Sequence, residues 1–62
     1  MKVKDRIRLR NGDGSIFGIG KVLDVIKDMG EKSLVQYEYK IHNASYKDTG
    51  EILNSDVMQG SK

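Results

Sequence analysis

The most informative segment of the chain is residues 35–42, which read Val35-Gln36-Tyr37-Glu38-Tyr39-Lys40-Ile41-His42. Apolar or aromatic side chains alternate here with polar ones, and successive side chains of a strand point to opposite faces. The alternation predicts a β-strand with one buried face. A turn is predicted before it, at residues 27–32, and a polar loop is predicted after it, at residues 42–50.

A second alternating segment lies near the N-terminus. Val3, Ile7 and Leu9 share one parity, and they predict a first strand whose apolar face is buried. The opposite parity carries five cations, which are Lys2, Lys4, Arg6, Arg8 and Arg10. The sequence Asn11-Gly12-Asp13-Gly14 follows and predicts a tight hairpin turn, because these residue types tolerate positive φ.

The segment between these two strands allows two interpretations. Residues 16–26 are apolar and contain Gly18 and Gly20, which indicate a second strand with a bulge or a bend. Helical spacing is present as well, in Val22, Val25, Ile26 and Met29. A helix at residues 21–29 would make the fold α+β, but the short length and the β-branched residues favour a strand and an all-β fold.

The C-terminal part of the chain is expected to complete the core. Residues 51–53 form a short apolar segment, residues 54–58 predict a capped turn of helix or a final short strand, and residues 59–62 are expected to be a polar tail. The sequence therefore predicts one domain over residues 1–58. The predicted core consists of Ile7, Leu9, Val22, Val25, Val35, Tyr37, Ile52 and Val57.

The order of these segments resembles the five-stranded Src-homology-three-like (SH3-like) barrels, particularly the Tudor and KOW modules. The matched positions are Gly20, Val22 and Val25 in the second strand, Val35 and Tyr37 in the third, and Thr49-Gly50 before the fourth. The resemblance spans about residues 3–58 and implies a small five-stranded barrel that works by binding. KOW modules contact RNA, ribosomes or RNA polymerase. With one Phe, three Tyr and no Trp, the aromatic cage of methyl-lysine-reading Tudor domains is not expected.

Composition narrows the possible function classes. The chain has 62 residues, no Cys and one His, so disulfides, cysteine-containing metal sites and ordinary zinc sites are not expected. No apolar run approaches the length of a membrane span, and the start lacks the apolar stretch of a secretion signal. We expect a cytoplasmic protein with no cofactor, no bound metal, no membrane contact and no small-molecule substrate.

The sequence also predicts that the chain is not an enzyme. His42 has no second histidine or thiol to work with, and no pattern of carboxylates indicates an acid–base pair. One enzyme alternative is the plasmid-borne dihydrofolate reductases, which are barrels of similar length with a late Val-Gln-Ile-Tyr segment. Here the late segment is Glu51-Ile52-Leu53-Asn54, and Val35-Gln36-Tyr37 lies one strand too early.

Charge is distributed unevenly along the chain. Residues 1–21 carry six Lys or Arg against two Asp, whereas residues 22–62 carry five Lys against seven acids. We predict contact with nucleic acid, DNA or RNA, or with a protein of the nucleic-acid machinery. The predicted contact residues are Lys2, Lys4, Arg6, Arg8, Arg10, Lys21 and Lys40, with Phe17 and Tyr46 available for stacking or docking.

Two other interpretations of the same residues stay open. Charges on a first strand also protect a sheet edge against aggregation. A small protein that docks onto another protein, such as a phage or plasmid accessory factor or inhibitor, would use Phe17, Leu23 or Tyr46 as an apolar anchor. The sequence does not distinguish DNA, RNA and protein partners, and it leaves the oligomeric state open.

Overall fold

A computed structural model describes residues 1–58, which form five antiparallel strands in one sheet and a single-turn 3₁₀ helix. The elements are β1 (Arg6–Arg10), β2 (Ile16–Asp28), β3 (Lys32–Ile41), β4 (Ala44–Leu53), the 3₁₀ helix (Asn54–Asp56) and β5 (Val57–Met58). The strand order is β4-β3-β2-β1-β5, so β4 and β5 are the two edges of an open sheet. The all-β prediction is confirmed, and the alternative helix at residues 21–29 is wrong because β2 extends to Asp28.

The turn between β1 and β2 forms where the sequence predicts it. The Asn11 N–H donates to the Ser15 carbonyl at 2.8 Å, and Gly14 has φ of +91°. The Asp13 carboxylate accepts hydrogen bonds from both the hydroxyl and the N–H of Ser15, at 2.6 and 2.9 Å. These bonds to the charged form hold the pKa of Asp13 below its usual value.

Strand β2 is long and bulged. Leu9 of β1 pairs with Gly18 and Arg10 pairs with Ile16, so Phe17 is the extra residue of a bulge. Against β3 the register shifts again between Val22 and Asp24. The two-glycine pattern therefore correctly indicated an irregular strand, and extra residues in one strand increase its local twist.

The predicted polar loop at residues 42–50 is wrong. His42 and Asn43 alone make the turn, with φ of +50° and +68°, and β3 and β4 then pair without a register shift from Ile41↔Ala44 to Lys32↔Leu53. The two positive φ values are those of a type I′ hairpin, for which Asn is well suited. The loop prediction failed because residues 44–49 are all exposed, and a strand with both faces in solvent lacks apolar alternation.

The first strand is shorter than predicted. Residues 2–5 form a turn in which the Asp5 N–H donates to the Lys2 carbonyl at 3.1 Å, and Lys4 has φ of +78°. The Lys4 N–H donates to the carbonyl of Val22 at 2.8 Å, which fastens this turn to β2. Val3 is 51% exposed. Lys2 and Lys4 therefore lie outside β1, which begins at Arg6.

The core lies on the inner face of the sheet. Ile7, Leu9, Val22 and Val35 are fully buried. Packed against them are Met1, Val25, Tyr37, Tyr39, Ile52 and Val57. All eight predicted core residues belong to this group, so the prediction of which side chains in each strand face the core is confirmed for them.

The chain end uses both predicted conformations in succession, a 3₁₀ turn and then a short strand against Arg6 and Ile7. Asn54 fixes this end to the turn between β2 and β3. Its N–H donates to the Glu31 carbonyl at 2.8 Å, its side-chain amide donates to the Gly30 carbonyl, and its side-chain oxygen accepts from the buried Ser33 hydroxyl at 2.8 Å. The predicted tail, residues 59–62, lies outside the described residues.

Candidate binding surfaces

Charged side chains form a row across the outer face of the sheet, opposite the core. The cross-strand pairs Arg6↔Lys21, Lys21↔Glu38 and Glu38↔Lys47 are continuous from β1 to β4. Directly paired residues project on the same face of a sheet. The row therefore places three cations around one carboxylate on the same surface.

A groove of about 310 Å³ opens on this face. All three of its lining cations, Arg6, Lys21 and Lys40, were predicted contact residues, and all three residues are exposed. The other lining residues are Ile19, Gly20, Glu38, Tyr39 and Ser45. Of these three cations, the sequence pattern placed only Arg6 in the basic row of the first strand. The pairing of β1, β2 and β3 brings the two lysines beside it.

Arg8 and Arg10 have a different environment, because both bind Asp56 of the 3₁₀ helix. The Arg10 guanidinium contacts the Asp56 carboxylate through Nε at 3.0 Å and Nη2 at 2.9 Å, and its Nη1 donates to the Gly14 carbonyl at 2.8 Å. Arg8 donates from Nη2 to the Ser55 carbonyl at 3.0 Å, and its Nε lies 3.5 Å from Asp56 Oδ1. These two arginines therefore connect β1 to the 3₁₀ helix.

The electrostatic effect of this cluster is reciprocal. The pKa of Asp56 lies below its usual value, mainly because Arg10 donates hydrogen bonds to the carboxylate. The charge of Arg10 and the weaker hydrogen bond and charge of Arg8 act in the same direction, whereas burial opposes them. The hydrogen bond to Asp56 likewise raises the pKa of Arg10. Asp56 is only 5% exposed, and sequence reasoning did not identify it. No local signal marks Asp56, because its two arginine partners lie more than 40 positions earlier in the chain.

The four aromatic side chains of the chain meet in one cluster. Tyr39 is its centre, with ring centroids 6.0 Å from Phe17, 5.9 Å from Tyr37 and 5.5 Å from Tyr46. Phe17 and Tyr46 are 43% and 46% exposed, as predicted for the stacking or docking pair. The sequence did not identify Tyr39 as the residue between them. That contact depends on the β3–β4 hairpin, which pairs Tyr39 with Tyr46.

Tyr37, a member of this cluster, lies opposite an acidic residue of β4. Burial raises the pKa of Tyr37, and the nearby charge of Asp48, its cross-strand partner, adds to the effect. A raised pKa keeps the phenol protonated at neutral pH, where it is a poor nucleophile. His42 is exposed in the β3–β4 turn. Over residues 1–58, no group of three or more His, Cys, Asp or Glu side chains is arranged to hold a metal ion.

Comparison with known proteins gives no assignment. No protein-family model matches the chain, and neither do any curated protein or solved structure. In the part of the chain that the structure describes, no helix is long and apolar enough to cross a membrane. The functional argument therefore depends on the surfaces described above.

Proposed function

We propose that this domain is a non-catalytic binding module of the SH3-like barrel type, and that it contacts nucleic acid through the outer-face groove. Two features support the barrel type: the order of the sequence segments, and a long bulged β2 shared between β1 and β3. The groove, with three exposed cations on three adjacent strands, supports the ligand class.

The observation that carries the proposal is the convergence of Arg6, Lys21 and Lys40 on one concave surface. The ion pairs found in residues 1–58 involve other cations, namely Arg8, Arg10 and Lys32. Glu38 is the one carboxylate among the groove residues, and it takes part in none of these ion pairs, so three cations against one carboxylate leave an excess of positive charge for an external anion. Several phosphates along a nucleic-acid backbone offer such a ligand, and binding releases their condensed counterions.

The aromatic cluster supports a single-stranded ligand. Tyr39 is among the groove residues, and its ring contacts the exposed rings of Phe17 and Tyr46 on the opposite, core-bearing face of the sheet, which a flexible single strand reaches by bending around the sheet. Bases of a single strand stack on such side chains, whereas the bases of a duplex are already stacked on one another. We therefore expect single-stranded DNA or RNA to bind more tightly than duplex DNA.

The test is a titration of labelled single-stranded DNA, RNA and duplex DNA at two salt concentrations. With three phosphates neutralised, log affinity should fall against log salt with a slope of about −2 for single strands and about −3 for duplex. Lys21→Glu with Lys40→Glu should abolish binding. Lys27→Glu with Lys32→Glu makes the same change in net charge away from the groove lining, loses only the exposed Lys32–Glu51 ion pair, and should retain most of the binding.

Replacing Arg6 and Arg8 together with Glu would not test the groove cleanly, because Arg8 also connects β1 to the 3₁₀ helix and its loss could weaken the fold. If wild type binds none of the three nucleic acids at low salt, the proposal is wrong. Equal weakening by the groove variant and its charge-matched control would mean that net charge, rather than the groove, attracts the ligand.

A second candidate function is docking onto a protein through the aromatic cluster, and it is favoured by the exposure of Phe17 and Tyr46. Large aromatic side chains commonly supply the central anchor of such interfaces. For a nucleic acid, replacing both residues with Ala should reduce affinity and leave the salt slope unchanged. An unchanged affinity would show that Phe17 and Tyr46 do not contact the nucleic acid, and it would favour docking onto a protein as the role of these two side chains.

A further inference from the structure

Strand β4 is a long sheet edge. It has ten residues, and it pairs with β3 on one side only. The opposite edge is β5, which has two residues. A regular, unpaired edge of this length is a template for another strand unless a bulge, a proline, a cover or charged side chains block it. The charges of β4 are of both signs, so they select a register rather than exclude every partner. The β3–β4 ladder has no register shift, and the chain contains no proline.

The hairpin geometry identifies which backbone groups of β4 face outward. A two-residue turn closes on a hydrogen-bonded pair, here Ile41↔Ala44, and antiparallel pairs alternate between hydrogen-bonded and non-hydrogen-bonded. The even-numbered residues of β4 therefore bond to β3. The N–H and C=O groups that point away from β3 belong to Ser45, Lys47, Thr49 and Glu51. The hydrogen bond from Asn54 N–H to the Glu31 carbonyl fits this alternation at the far end of the ladder.

We propose that β4 pairs with β4 of a second copy of this chain, antiparallel, with Thr49 opposite Thr49. In this register Lys47 lies opposite Glu51 of the second copy, twice by symmetry, and Tyr46 lies opposite Ile52. Shifting the centre to Asp48 places two aspartates opposite each other, and shifting it to Lys47 places two lysines opposite each other. Opposite charges stabilise a cross-strand pair and like charges destabilise it, so charge complementarity selects the Thr49-centred register.

Two contacts of the monomer compete with this pairing. The Glu51 carboxylate is bound by Lys32 Nζ at 2.8 Å, so it must be shared with Lys47 of the second copy. The Asp48 carboxylate accepts a hydrogen bond from the Thr49 N–H at 2.8 Å, at the position of the two-fold axis. Dimerisation exchanges that bond for one to the carbonyl of Thr49 in the second copy. Self-pairing is therefore weak and concentration-dependent, and removal of the Asp48 carboxylate strengthens it.

Sedimentation equilibrium over a range of protein concentrations tests the dimer. The average mass should rise from the 7.0 kDa of the monomer toward twice that value. Lys47→Glu places like charges opposite each other and should weaken the dimer by about tenfold or more. Lys47→Glu combined with Glu51→Lys restores opposite charges across the dimer, and Lys32→Glu is added so that positions 32 and 51 can still form an ion pair. This charge swap should restore the dimer. Asp48→Ala should tighten it.

Because the chain has no cysteine, a single introduced thiol reports the register. In the proposed dimer the two Thr49 Cα atoms lie about 5.5 Å apart, within disulfide range. Thr49→Cys should therefore form a disulfide-linked dimer rapidly. Ser45→Cys, on the same edge, is the matched control. Its two copies lie about 26 Å apart, at the spacing of residues along a strand, and should crosslink only at the rate of random collision.

A monomer at all concentrations would overturn the proposal. So would equal crosslinking rates at the two positions, or failure of the charge swap to rescue the dimer. Circular dichroism of each variant checks that the domain remains folded. The introduced residues are at exposed positions of β3 and β4, where substitutions usually change the free energy of unfolding by less than about 0.5 kcal/mol.

Discussion

Arg10 and Asp56 form a two-point ion pair, with Nε to Oδ2 at 3.0 Å and Nη2 to Oδ1 at 2.9 Å. The pair connects the end of β1 to the turn that positions β5, across 46 residues of sequence. Its carboxylate is nearly buried, while the Arg10 side chain is 40% exposed. A buried carboxylate is costly unless it is paired, so loss of either partner weakens the attachment of β5.

The first prediction concerns Asp56 and acid stability. Because its pKa is lower in the folded than in the unfolded protein, ionised Asp56 stabilises the fold above the unfolded carboxyl pKa, near 3.8. That stabilisation is lost as the pH falls through the lower, folded pKa. Asp56→Asn should reduce the free energy of unfolding at pH 7 by about 1–3 kcal/mol. It should also flatten the pH dependence, as measured by urea denaturation from pH 2 to 7.

Asp24→Asn is the matched control, because Asp24 is exposed on β2. This variant should keep the acid sensitivity of wild type. Asp13 and Asp28, whose pKa values are also lowered by hydrogen bonds, should leave a residual pH dependence in every variant. An Asp56→Asn protein as acid-sensitive as wild type would contradict the role assigned to the ion pair.

The second prediction concerns the buried Ser33 hydroxyl, which donates to the Asn54 side chain at 2.8 Å. Asn54→Ala removes that acceptor and also the bond to the Gly30 carbonyl, and it should cost about 1–3 kcal/mol of unfolding free energy. Adding Ser33→Ala removes the unsatisfied hydroxyl, so the double variant should be more stable than the sum of the single effects indicates. Urea denaturation of the four proteins measures this coupling, and strict additivity would show that the bond contributes nothing.

The sequence predicted the inner face of this sheet well. Burial forces apolar residues such as Ile7, Leu9 and Val35 onto alternate positions, and that alternation is visible in a single chain. The first part of strand β4, residues 44–50, was missed because it buries little, and its pairing depends on a two-residue turn, His42-Asn43, that contains no glycine. Local pattern therefore identified the segments that carry the core, including Ile52 of β4, and failed for the part of β4 that only extends the sheet.

The candidate site was predictable only in part. Alternation put Arg6, Arg8 and Arg10 on one face correctly, but it could not separate the groove cation Arg6 from two arginines bound to a distant aspartate. That division depends on where Asp56 folds back, which is a long-range property of the chain. The aromatic cluster could not be predicted for the same reason, because the contact between Tyr39 and Tyr46 depends on the β3–β4 hairpin, which the sequence did not predict.

The last prediction uses two glycines of β2 that differ only in their surroundings. A Cβ at Gly20 would lie 3.0 Å from the backbone carbonyl oxygen of Glu38 and 3.2 Å from the Leu9 side chain, whereas a Cβ at Gly18 meets nothing within 4 Å. The carbonyl belongs to the paired strand and cannot move without disturbing the ladder.

Gly20→Ala should therefore lower the free energy of unfolding by about 1–3 kcal/mol. Gly18→Ala should be neutral or slightly stabilising, because it restricts the unfolded chain. Urea denaturation of both variants checks the difference, and a Gly20→Ala protein as stable as Gly18→Ala would show that β2 and β3 can separate there at no cost.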